Sequence, residues 1–146
     1  MTAAETLEHC VVADAARVGQ VREEFSRWLR QFDLSPDRHN DLVLAVNEAL
    51  ANAAEFAYVR HSAPGEVRLV ARFDAPSRSI SVRISDDGNW REPTSSDIPA
   101  LRGRGIPLMR SLADDADIER SPHGTTVRMR FDRVGDNMTE RSSVLQ

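Results

Sequence analysis

The hydrophobic period changes in the middle of this chain, from about 3.6 residues to two, and that change restricts the fold more than any other feature. Asp14 suits an N-cap for a helix reaching about Arg30, with Val18, Val21, Phe25, Trp28 and Leu29 on one face. Leu34-Ser35-Pro36 then forms a turn, and a second helix is expected from about Asp37 to Tyr58. Its apolar positions Leu42, Ala45, Val46, Ala49, Leu50, Ala53 and Phe56 keep helical spacing. Ser62-Ala63-Pro64-Gly65 breaks that pattern. After it, Val67, Leu69, Ala71 and Phe73 alternate with Arg68 and Arg72, and Ile80, Val82 and Ile84 alternate with Ser81, Arg83 and Ser85. Near the end, Val127, Met129 and Phe131 alternate with Arg128 and Arg130. Strands with one apolar and one polar face make a sheet covered on one side, which favours antiparallel or mixed pairing. The expected class is α+β: a two-layer α/β sandwich, with helices on one face of a mixed, largely antiparallel sheet.

Smaller elements complete the plan. Leu7 to Val12 reads as a short strand, Ile106 to Ala113 as a helix, and Asp117 to Arg120 as another strand. The stretch from Asp86 to Arg104 holds Gly, Pro, Ser and Asp with few apolar residues and reads as a long mobile loop. Residues 1–131 are expected to form a single domain, and the polar segment 132–146 a frayed, disordered tail.

Composition removes several function classes. With 146 residues, 40% hydrophobic and 29% charged, the chain is globular. Its net charge of -4 offers no global field for nucleic acid, so no direct nucleic-acid partner is expected. The longest aliphatic run, Leu42 to Val46, is far too short to span a membrane, and the acidic start lacks the apolar core of a signal peptide. One cysteine, Cys10, cannot form an internal disulfide, and no Cys/His cluster has zinc spacing. A cytoplasmic location is expected.

Four places could carry chemistry. Glu48, Asn52 and Glu55 stand four and three residues apart, which puts them on one helix face. A carboxylate there can serve as a general base and an Asn oxygen as a hard Mg²⁺ ligand, although a wet helix face reads the same way. Asp86-Asp87-Gly88 closes a strand. Its carboxylate can accept from the exocyclic amino group of an adenine, or the trio can be a tight hairpin turn. Arg102-Gly103-Arg104-Gly105 opens a helix, where backbone N–H groups and guanidinium groups suit phosphate; a loop with solvated arginines fits equally. Gly124-Thr125-Thr126 opens the last strand, with hydroxyls that can reach a ligand or serve only as strand formers.

The order of these four places is more specific than any one of them. A helical Glu-x-x-x-Asn, a strand-end Asp-x-Gly, a Gly-x-Gly before a helix and a terminal Gly-Thr resemble the ordered boxes of the Bergerat ATP-binding fold. That fold defines the GHKL superfamily. Within it, AVNEALANAAEFAY, ISDDGNW, GRGIPLMRSLADD and GTTVRMRF look like the small bacterial anti-sigma factor serine/threonine kinases, over roughly residues 7 to 131.

That resemblance implies an ATP- and Mg²⁺-dependent protein kinase. Glu48 takes the place of the catalytic base and Asn52 that of the metal ligand. Asp86 matches the adenine-reading carboxylate, with Gly88 giving the ring room. Gly103 and Gly105 match the lid glycines, with Arg102 or Arg104 at the phosphates, and Thr125 or Thr126 makes the Gly-Thr contact. The implied partners are a STAS-domain anti-anti-sigma factor, as substrate, and an RNA polymerase sigma factor, which is sequestered. Many members of the family form homodimers. One departure is Phe56, at a position where the family often has His. It favours an alternative, an ATP-binding partner-switch module with little or no kinase activity. A detached histidine-kinase catalytic domain fits less well, because the loop between Asp86 and Gly103 is short for such a domain and the phosphoacceptor helices are missing. An interaction domain without nucleotide is opposed by the intact set of Glu48, Asn52, Asp86 and glycines.

Overall fold

The computed structural model describes residues 5–57, 65–88 and 107–134. Strand β1 (Thr6–Val12) leads into helix α1 (Ala15–Leu29) and helix α2 (Pro36–Asn52). A π-helical turn, Ala53–Ala57, extends α2. Then come β2 (Glu66–Asp74), β3 (Ser79–Asp86), helical residues 107–112, β4 (Asp115–Ser121) and β5 (Gly124–Phe131). The strand order is β1-β2-β3-β5-β4, and all four pairings are antiparallel. The expected α+β two-layer architecture is therefore present, and the described pairings are antiparallel throughout.

Both helices start where their caps dictate. The Asp14 carboxylate accepts from the Arg17 N–H at 2.8 Å, and the Ser35 hydroxyl accepts from the Arg38 N–H at 3.2 Å. Each satisfies one orphan helix donor, worth about 1 kcal/mol. Pro36 occupies the first turn of α2, where no hydrogen bond is lost. The apolar stripe of α1 (Val18, Val21, Phe25, Trp28, Leu29) is buried, as is Leu42, Ala45, Val46, Ala49 and Leu50 of α2. Against them lie Val67, Leu69 and Ala71 of β2, Ile80, Val82 and Ile84 of β3, and Val127, Met129 and Phe131 of β5. An aromatic chain joins the layers: Trp28 meets Phe32 edge-on at 4.8 Å, and Phe32 meets Phe73 of β2 at 4.5 Å.

Two anchors orient α2 along the sheet. At its start, Arg38 donates to the Asp114 carboxylate and to the Asp132 carbonyl, both at 2.8 Å. The Asp132 N–H donates to the same Asp114 oxygen at 2.7 Å. At its far end the π-helical turn touches β3. Helix α2 thus runs from the end of β5 towards the end of β3.

Three expected boundaries move. The α-helix closes at Asn52 and continues as the wider turn to Ala57, while Tyr58 lies outside the described residues. The fourth strand is longer than Asp117 to Arg120. The tail does not begin at residue 132: Val134 is buried, its N–H donates to the Arg78 carbonyl at 2.8 Å, and its carbonyl accepts from Arg78 Nε at 3.2 Å. A lone apolar residue carries no period, so only that pairing reveals it. Residues 135–146 lie outside the described ones.

Candidate functional site

The site grows from the last residue of β3. Strand alternation puts Asp86 on the same face as Ile80, Val82 and Ile84, so a carboxylate takes a core position at the strand's end. It is 4% exposed. Burying a carboxylate is costly unless its oxygens are held. Asp86 Oδ1 accepts from the Gly88 N–H at 3.0 Å, which curls the chain immediately after the strand. Both sides of β3 are taken, by β2 and β5. Asp86-Asp87-Gly88 is therefore not a hairpin turn, and the chain leaves the sheet at this point.

Two glycines let backbones meet around Asp86. A Cβ on Gly88 would stand 2.1 Å from the Ala57 carbonyl oxygen, so the loop after β3 rests directly on the last residue of the π-helical turn. Gly124 has φ +154, and a Cβ there would lie 2.1 Å from the Asp86 carbonyl oxygen. That close approach pairs Thr125 with Asp86. Thr125 is 2% exposed and shares the helix-side face with Asp86.

Helix α2 brings the remaining groups. Glu48 and Asn52, one turn apart, are both half-buried, whereas Glu55 in the π-helical turn is exposed. The wider turn, with i→i+5 bonding, takes Glu55 out of strict α-helical register with the other two. Thr126 is on the opposite face of the sheet, between Ser85 and Glu119. Of the two threonines, only Thr125 lies with Asp86. Asp87 also turns to the outer face, where it pairs with Arg68 at 2.9 Å. Arg102, Gly103, Arg104 and Gly105, and the side chain of Phe56, lie outside the described residues. The structure thus brings Asp86, Gly88 and Thr125 together at the end of β3, against the π-helical turn that extends the helix bearing Glu48 and Asn52.

The order of sequence motifs and this geometry agree with a comparison against protein families. Residues 11–131 match the model described as histidine kinase-like ATPase domain. The chain belongs to that family. A histidine kinase-like ATPase domain binds ATP, which makes this a kinase-like, ATP-using module of the Bergerat fold. Solved structures show the same fold. The RsbU and RsbW domains of a Mycobacterium tuberculosis protein superpose with a TM-score of 0.71 at 21% identity, over 90% of this chain and 33% of that one. A blue-light activated histidine kinase from Erythrobacter litoralis superposes with a TM-score of 0.57 at 24% identity, over 73% of this chain and 34% of that one. The chain thus spans about a third of the length of each. Among the described residues, no helix is long and apolar enough to cross a membrane.

Sequence reasoning missed the carbonyl of Ala57 as a seat for the Gly88 loop. Its signal was the strand-end Asp-x-Gly together with an alanine-rich helix end, but nothing local says that the two meet.

Proposed function

We propose that this ATPase-family domain is an ATP- and Mg²⁺-dependent protein serine/threonine kinase. Its substrate is a serine on a STAS-domain anti-anti-sigma factor, and it alternately sequesters a sigma factor. The observation that carries this reading is the buried Asp86 carboxylate, closed by Gly88 on the end of the helix that bears Glu48 and Asn52. The likeness of the fold to a structure containing an RsbW domain supports the same direction.

The residues present fit the nucleotide and its metal. Asp86 offers a water-poor acceptor for the adenine amino group, and Thr125 a hydroxyl beside it. Asn52 offers a hard, neutral oxygen, and Mg²⁺ needs few protein ligands when phosphates supply others. The metal would neutralise charge on the phosphates. Glu48, one turn before Asn52, accepts the proton of the attacking serine hydroxyl as its oxygen bonds to the γ-phosphorus and ADP departs. A second reading, a partner-switch module that binds ATP with little or no transfer, is favoured by Phe56.

The deciding experiment incubates the chain with labelled ATP, Mg²⁺ and candidate STAS proteins. Label on serine supports the kinase, and retained nucleotide binding without transfer supports the inert module. Glu48→Ala is expected to lose about 10²–10⁴-fold in transfer while still binding ATP. An unchanged rate would remove Glu48 from the mechanism.

A further inference from the structure

The sheet face turned away from the helices carries its own charge pattern. Strand alternation sends Arg68 and Arg72 of β2, Arg83 of β3, and Arg128 and Arg130 of β5 to that face. Arg83 and Arg128 stand directly opposite each other across two strands. Like charges in that relation destabilise a sheet, so the pair has a cost that the isolated domain must carry.

Acidic neighbours relieve only part of it. Arg128 pairs with Glu119 at 2.9 Å, Arg130 with Asp132 at 2.9 Å, and Arg68 with Asp87 at 2.9 Å. Among the described residues, Arg72 and Arg83 make no ion pair. The registers Arg72↔Ser81 and Val70↔Arg83 make them diagonal neighbours, roughly 7–8 Å apart along the backbone. Both line a hollow of about 430 Å³, together with half-buried Val70, exposed Ser81, Arg128, Arg130 and one carboxylate, Asp115.

We infer that this outer face is a docking surface for an acidic segment of a protein partner. Two carboxylates one helical turn apart, about 5–6 Å, would engage Arg72 and Arg83, with an apolar side chain seated over Val70. A long polyanion fits worse. Asp115, Asp117 and Glu119 line the β4 edge and Glu8 stands on β1 beside Val70, so carboxylates flank the arginines on both sides. The whole chain is also negative, at -4. This inference does not rest on the kinase reading, because the surface lies across the sheet from Glu48 and Thr125.

The test uses the full chain and three fluorescent probes: a short peptide of alternating Glu and Leu turns, its Lys counterpart, and single-stranded DNA of equal charge. The acidic peptide is expected to bind and the Lys peptide not to. Binding should weaken between about 0.01 M and 0.1 M salt, as the screening length falls from roughly 30 Å to 10 Å. The double variant Arg72→Gln/Arg83→Gln should lose about fivefold or more in affinity, as expected for two exposed charge contacts. Arg22→Gln, on the helix side, should lose nothing. Circular dichroism confirms folding, which exposed side chains on this face do not control. Undiminished peptide binding by the double variant would overturn the inference. So would tighter binding of the DNA, or a concentration-dependent doubling of mass that the double variant abolishes, which would make the occupant a second copy.

Discussion

Replacing Gly88 by alanine tests how the proposed nucleotide site is assembled. The new methyl carbon would stand 2.1 Å from the Ala57 carbonyl oxygen, 2.6 Å from its carbon and 2.9 Å from Ala57 Cβ. Two of these atoms are backbone, so no rotamer change relieves the contact. Ordinary contact begins at 3.4 Å, so the loop and the helix end must separate by about 1.3 Å. Overpacking of this kind costs about 1–3 kcal/mol. At roughly 3 °C per kcal/mol for a chain of this length, Gly88→Ala should melt about 3–9 °C lower. The same displacement moves Asp86, whose Oδ1 is bonded to the Gly88 N–H. Misplacing a positioned group by about 1 Å can cost around 10²-fold in rate, so ATP-dependent activity should fall further than stability does. Gly19 supplies the matched control, because a Cβ there meets nothing within 4 Å in the middle of α1. Gly19→Ala should therefore stabilise, by about 0.5–1 kcal/mol. Thermal scans and calorimetric ATP titration of both variants read the result. A Gly88→Ala protein as stable as the parent, with unchanged ATP affinity, would refute the contact as a structural requirement.

Three further outcomes follow from described contacts. Asp86→Asn keeps an acceptor for Gly88 but turns the other oxygen into a donor; ATP affinity should drop by about 1–3 kcal/mol, while Asp87→Asn, which weakens an exposed pair with Arg68, should cost under about 1 kcal/mol by calorimetry. Burial, and secondarily the charge of Arg30, lower the His39 pKa below its ordinary 6.5, and Ser26 Oγ lies 2.9 Å from His39 Nε2. The folded state thus favours the neutral ring, so stability is full above pH 6.5 and declines as pH falls through the folded value; in denaturant titrations His39→Gln should show a flatter slope there. For Asp114, burial pushes the pKa up, but the Asp132 N–H and Arg38 outweigh it, and the net shift is below the ordinary 3.8. Its contribution is present above that pH and lost as pH falls through the folded value, so the stability gap between parent and Asp114→Asn should narrow on acidification.

Much of this architecture was legible because each layer signals locally. The caps at Asp14 and Ser35, the apolar stripes of α1 and α2, and the alternation of β2, β3 and β5 all come from short-range periodicity. The outward turn of Asp87 followed from the same alternation. That alternation also separates Thr125 from Thr126, a distinction the motif resemblance left open. What was not legible depends on meetings between distant segments. Nothing in Ala-Ala-Glu-Phe-Ala disfavours an ordinary α-helix, so the wide turn and the loss of Glu55 from the stripe have no local signature. The burial of Val134 likewise depends on Arg78, 56 residues away, at a turn where the backbone takes φ 54. Arg102, Gly103, Arg104 and Gly105 lie outside the described residues, so the part expected of them rests on the motif.

The wide turn at Ala53–Ala57 makes chain length, as well as residue identity, a determinant of the site. Removing one residue between Asn52 and Ala57 could restore regular α-helical bonding at little local cost. The wide turn holds one residue more than an α-helical turn, so the residues on either side of the deletion would keep their phase around the helix axis. The Ala57 carbonyl would stay against Gly88, whereas a deletion in the regular part of α2 would turn it by about 100° and take away the loop's seat. Alignments of related chains should therefore gather single-residue gaps at this helix end rather than within the regular part of α2. In directed-evolution libraries, single-residue deletions within Ala53–Ala57 should be depleted far less strongly than single-residue deletions in the middle of α2.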